Sequence, residues 1–320
     1  MKRITTTLYI SLALILLGII LATLGLAVNG FNFRRFDMTK IDEKTFEVSA
    51  PFTSISVETG ATDVRFAPSQ TGAGASVVSH VDKKIQYSVE VVNGVLTVSR
   101  KDTRKWYDYI GIRFAKQYVT VYLPEGEYQN LTVTGTTGDV TVPSNFTFES
   151  VSVKMSTGDI RYSASAKNVS LEVTTGDISF TGSAESLSLK GSTGDYSIRR
   201  ATVTDSITVN ATTGDVEMEN VTAQTVAISL RTGDVDLNQV VTAGETKITA
   251  TTGDVELSYC DAGEYNVTTT TGDVEMSLLT PKIYNVTTNT GRKRVPQSVA
   301  NAGFCNVTCR TGDIEIRVIP

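Results

Sequence analysis

Ten carboxylates in the second half of the chain fall into two columns at fixed offsets from a repeated glycine. Asp215, Asp234, Asp254, Asp273 and Asp313 each follow a glycine directly; Glu217, Asp236, Glu256, Glu275 and Glu315 stand two residues further on. Carboxylates repeated in this way suit two kinds of chemistry. Each Asp can accept a hydrogen bond from a neighbouring corner amide, as Asp does in tight turns. Alternatively, the whole set can form an acidic ridge that attracts Ca²⁺, other cations or cationic peptides. The calcium β-roll does not fit, because its repeats are glycine-rich nonapeptides and this repeat is twice as long.

Other reactive groups are few. The chain has 320 residues, one histidine (His80) and three cysteines (Cys260, Cys305 and Cys309), too few for a zinc site or a disulfide scaffold. No nucleophile, acid–base pair or metal set stands out, so the chain reads as a non-enzyme without a cofactor. A β-helical carbohydrate-active enzyme is the remote alternative. A net charge of −5 carries no nucleic-acid signal. One basic, aromatic-rich patch interrupts the pattern between 101 and 116. It holds Arg104, Lys105, Trp106, Tyr107 and Tyr109, including the only tryptophan. It reads as a loop folded over the end of the core with Trp106 as a plug, or as a contact for an anionic membrane surface or cell-wall polymer.

The acidic residues belong to a repeat. Thr-Gly-Asp recurs with its glycines at 138, 158, 176, 194, 214, 233, 253, 272 and 312, and a variant Thr290-Gly291-Arg292 fills the gap. The steps are 18 to 21 residues, the mark of a repeat architecture. Five residues before each glycine stands Val, Leu or Ile. Two and four residues after it stand further apolar residues, with Lys293 the exception. Apolar positions alternating with polar ones mark strands buried on one face. The alternation slips by one residue across Gly-Asp, which calls for a bulge or corner with positive φ at glycine. A hairpin turn and a solenoid corner both satisfy that parity. Like residues in every column favour the solenoid, a parallel β-solenoid of about ten rungs, roughly 45–50 Å long.

The chain divides accordingly. Residues 1–7 form a short cytoplasmic tail. Residues 8–28 are apolar and uncharged, enough for a helix of roughly 30 Å that spans a bilayer. Lys2 and Arg3 favour a cytoplasmic start. The apolar run is long for a cleaved signal peptide and lacks a good cleavage site, so an uncleaved anchor with the bulk of the chain outside the cytoplasm is expected. Residues 29–45 read as a stalk. Residues 46–125 form a β region that caps or continues the rod, with a hairpin at Asn93-Gly94 pairing 88–92 with 95–99. Residues 126–320 are the repeat domain, and Pro320 suits a strand terminus that should not pair further.

Within the repeats, Arg292 and Arg294 are expected to neutralise the Asp and Glu columns between the rungs of Asp273 and Asp313. Cys305 and Cys309, about 13 Å apart on one strand, read as small buried hydrophobes. Asn266, Asn285 and Asn306 share a column and read as a stacked Asn ladder.

The order of parts is more specific than any one motif. A strand opening Phe52-x-x-Ile55-x-Val57 leads to the Asn93-Gly94 hairpin, then to Val119-Thr120-Val121-Tyr122-Leu123-Pro124 and the Gly-Asp-Val/Ile repeats. This order, from about Phe46 onward, resembles the bacterial putative-adhesin family of β-strand repeats, a family of unknown function. The resemblance implies an extracytoplasmic β-solenoid, often behind a membrane helix and often encoded near envelope-stress regulators. It supplies no catalytic residues. The resulting expectation is a membrane-anchored surface interaction or structural module with three partners in view: the bilayer through residues 8–28, an envelope protein, or a cell-wall polymer. The alternative is an envelope-stress sensor that binds a cation or a partner protein.

Overall fold

The computed structural model describes residues 2–28, 30, 39–69, 74–109 and 115–319. Most of the expected stalk, together with Arg113 of the basic patch and Pro320, lies outside them.

Lys2–Val28 is a single α-helix. Its stretch Tyr9–Val28 is long and apolar enough to cross a membrane.

The rest is a β-solenoid. A typical rung is a long strand, Phe146–Thr157, the Gly158-Asp159 corner and a short strand, Ile160–Tyr162. The next rung lies parallel and in register: Val153 pairs with Leu171 and Ile160 with Ile178. Parallel pairing rules out the hairpin reading of Gly-Asp. Motif glycines take φ between 123° and 151°, the backbone that the parity slip demanded. At Gly214 an added Cβ would meet the Gly194 carbonyl of the rung beneath, so glycine is also needed for close stacking. A second corner, six residues after the motif glycine, places Arg200, Asn220, Gln239 and Tyr259 at φ near 50–55°. Nothing in those residue types announces it.

The inward columns stack like on like into one core. Val140, Ile160, Ile178, Tyr196, Val216, Val235, Val255, Val274 and Ile314 are all fully buried. Tyr162 lies flat on Phe180 in the next rung, ring centroids 5.7 Å apart. Burying such columns at about 25 cal/mol per Å² is what holds rungs that could not fold alone.

The ends depart from chain order. At the N-terminal end, Ser54–Ala61 and Asp63–Pro68 form a rung stacked on Gly126–Thr137 and Val140–Val142. On its other side lies a rung made of Val95–Asp102 and Tyr118–Leu123, also parallel. Antiparallel strands then close this end: Ile85–Val92 on Val95–Asp102, Ala75–Asp82 on Tyr118–Leu123, and Ile41–Val48 outermost. The 46–125 region therefore both continues the rod and caps it. The hairpin pairs Ser88 with Ser99 and Val92 with Val95, with positive φ at Asn93 and Gly94. Strand structure begins at Ile41, inside the expected stalk. Asp42, Glu43 and Lys44 there make a charged edge that discourages further pairing.

At the C-terminal end, the last repeat in sequence is not the last in space. Phe304–Thr311 pairs with the Gly272 rung on one side and with Ile283–Thr290 on the other. The chain thus builds the outermost Gly291 rung first and returns to fill the gap beneath it. This corrects the expected place of Arg292: it does not separate Asp273 from Asp313 but ends the rod. Lys293, odd in an inward column, is exposed because no rung covers it.

Candidate functional site

The Gly-Asp corners line one edge of the rod. The carboxylate Oδ1 of each Asp accepts the amide of the Asp in the adjoining rung. The ladder runs from Asp63 through Asp139, Asp159, Asp177, Asp195, Asp215, Asp234, Asp254, Asp273 and Asp313 to the amide of Arg292, at 2.7–3.1 Å throughout. This is the amide-accepting role expected of Asp at a turn. It also explains the variant motif. The outermost rung has an amide to donate but no rung beyond it whose amide needs an acceptor, so a carboxylate at 292 has no partner to serve.

The second column behaves differently. Glu217, Asp236, Glu256, Glu275 and Glu315 pair in unbroken register. Arg199 binds Glu217 at 2.5 Å at one end, and Arg294 binds Glu315 at 3.2 Å at the other. Asp236, Glu256 and Glu275 between them form no ion pair among the described residues. Burial, followed by the charges of Glu256 and Glu217, raises the carboxyl of Asp236 above its ordinary value. The structure therefore brings all ten acids into one double row, with rungs about 4.8 Å apart. Among the described residues no three His, Cys, Asp or Glu side chains converge to hold a metal.

The basic-aromatic residues also come together, although not as a plug. The insert after Val95–Asp102 stands where other rungs carry Gly-Asp. It leaves Trp106 76% exposed, with Tyr107 and Tyr109 about half exposed. Arg104 does not point outward: its side chain lies against Asp102, donating from Nε at 2.9 Å, and over the Tyr109 ring. Arg100 adds a second bond to Asp102 at 2.9 Å. The Arg104 hydrogen bonds hold the Asp102 carboxyl well below the usual carboxylate range.

Other groups are structural. Cys260, Cys305 and Cys309 are free and buried, and burial pushes the thiols of Cys260 and Cys305 up to about 11 and 12. Such thiols are poor nucleophiles at neutral pH. The Asn ladder forms in spatial order: Asn306 donates to Asn266 at 2.8 Å and Asn285 to Asn306 at 2.9 Å. Sequence reasoning missed Lys282, which is 5% exposed and binds Asp261, Thr280 and the Ala262 carbonyl where the chain doubles back. A lone lysine before Ile283 gives no pattern from which to find it.

Residues 52–317 match the family described as Toastrack DUF4097, and the chain belongs to that family. No curated protein sequence matches it. Among solved structures, one similar chain is a putative lipid binding protein from Parabacteroides distasonis ATCC 8503, 12% identical over 86% of this chain and 97% of its own, with a TM-score of 0.47. Another is a putative adhesin from the same organism, 15% identical over 87% and 98%, TM-score 0.39. A third is a putative adhesin from Bacteroides fragilis NCTC 9343, 17% identical over 87% and 97%, TM-score 0.32.

Proposed function

We propose that this Toastrack rod is a membrane-anchored, extracytoplasmic interaction module, and that its acidic ridge takes a cationic polypeptide or polymer. The carrying observation is the in-register column Glu217, Asp236, Glu256, Glu275 and Glu315, whose middle three members form no ion pair among the described residues. Stacked like charges repel, and a partner that supplies distributed positive charge relieves that repulsion. The absence of a converging ligand set among the described residues favours distributed cations over a single Ca²⁺. The apolar helix, long enough to cross a bilayer, supports membrane anchorage, and Lys2 and Arg3 before it support an orientation with the repeats outside.

The test is binding of an oligolysine probe to the full chain in nanodiscs, compared with the double charge reversal Glu256→Lys and Glu275→Lys. The variant should lose most of the affinity, and wild-type binding should fall steeply with salt. Equal binding by both would refute the ridge. Binding that requires Ca²⁺ and vanishes with chelator would replace the polycation reading with a metal site. Loss of an envelope-stress response in cells carrying the variant would favour sensing over adhesion or scaffolding.

A further inference from the structure

We infer that the turn carrying Trp106 is a second membrane foot, which seats on the anionic lipid surface beside the anchor and so fixes the tilt of the rod. This rests on the proposed anchor and adds a site to it.

Three observations carry the inference. First, exposed aromatics are concentrated there. Beyond the helix, the exposed aromatic side chains among the described residues are Trp106, Tyr107, Tyr109, Tyr259 and Phe304, and the first three share one four-residue turn. Trp and Tyr have an apolar body and a polar tip, and both are favoured at the level of lipid headgroups.

Second, the turn is braced by its own hydrogen bonds and ion pairs. Asp102 ties Arg100, Arg104 and the Tyr109 hydroxyl together, while Asp108 accepts from the Lys105 amide at 2.8 Å and pairs with Lys84. With the acids occupied internally, the exposed Lys101 and Lys105 are left to face outward; Lys105 lies 5.9 Å from the Tyr107 ring. A pre-ordered aromatic turn loses little entropy on docking.

Third, the turn is at the right end. The Thr103 amide and hydroxyl both donate to the Lys84 carbonyl, and the neighbouring Lys83 amide donates to the Lys40 carbonyl. Lys40 is where the chain arrives from the helix. Twelve residues from Val28 can span at most about 40 Å, so the anchor keeps the turn within reach of the bilayer. Together, lysines and interfacial aromatics tethered within reach of a membrane match an anionic lipid surface.

Trp106 is the only tryptophan, so its fluorescence reports this turn alone. The full chain is reconstituted in liposomes of phosphatidylcholine with or without phosphatidylglycerol. The expected result with anionic lipid is a shift of emission to shorter wavelength, quenching by lipids brominated near the headgroup, and protection from acrylamide. Lys101→Gln and Lys105→Gln should each lower the docked-to-free ratio about fivefold. Liposome flotation separates the two claims. A chain that floats while Trp106 stays open to acrylamide and unquenched by brominated lipid overturns the second foot and leaves the anchor standing. A chain that fails to float overturns both. Protection of Trp106 by soluble cell-wall glycan instead of lipid also overturns the inference, in favour of a polymer contact.

Discussion

The Asp ladder yields a prediction in which hydrogen bonding and charge pull in opposite directions. In the middle of the rod, Asp215 accepts the Asp234 amide at 2.8 Å and donates its own amide to Asp195 at 2.9 Å. Asp215→Ala removes one charge-assisted bond, worth about 1.5–3 kcal/mol. It also removes repulsion from carboxylates one rung away, about 0.9 kcal/mol per pair at 4.8 Å in water before salt screening. The net cost should be about 1 kcal/mol. Asp215→Asn keeps an oxygen acceptor and removes the same repulsion, so it should be neutral or slightly stabilising. Arg292→Ala should change stability by less than about 0.5 kcal/mol, because no rung beyond it needs an acceptor. Urea unfolding of the three variants in detergent gives the ordering, and a 1 kcal/mol loss corresponds to about 2–4 °C in Tm. Amide exchange at Asp234 should speed up in Asp215→Ala and stay slow in Asp215→Asn. If the Asn variant loses as much as the Ala variant, or Arg292→Ala costs as much as either, the ladder does not act through the accepting oxygen.

Three further outcomes follow from the geometry. Gly214→Ala places a Cβ against the Gly194 backbone at φ 124°, and should cost more than about 3 kcal/mol or prevent folding, read as lost soluble yield and a lower urea midpoint. Because the Asp236 carboxyl is raised in the fold, Asp236→Asn should be more stable than wild type at pH 7, with a gap that narrows as pH falls through the raised folded value toward the ordinary carboxylate value. Asp102 is shifted the other way by Arg104, so its contribution is present above the ordinary carboxylate value and lost as pH falls through its lower folded value; Asp102→Asn should cost about 1–3 kcal/mol and lower the fluorescence anisotropy of Trp106 at neutral pH.

The amino-acid pattern by itself determined the rung. Constant residue class in each column and a parity slip at every Gly-Asp required a glycine corner between two buried strands, and in-register stacking then aligned Asp215 to Asp313 and Glu217 to Glu315. Only the tertiary structure decided which rung lies beside which at the ends. The Gly312 rung entered between Gly272 and Gly291, and the 54–68 rung lay beneath one built from 95–102 and 118–123. The physical reason is degeneracy. Every rung offers nearly the same columns to its neighbours, so nearest-neighbour packing accepts several orders, and chain connectivity with end capping selects one. The Arg292 position is the trace that this choice left in the sequence, since the outermost rung has no further amide for an Asp to accept. Trp106 was undecidable for a different reason: residues 101–116 have no periodicity, so nothing local says whether an aromatic there turns into the core or out of it. Asp102 and Asp108, through their bonds to Arg100, Arg104 and Lys84, fasten the turn to the end of the rod with its aromatic rings exposed.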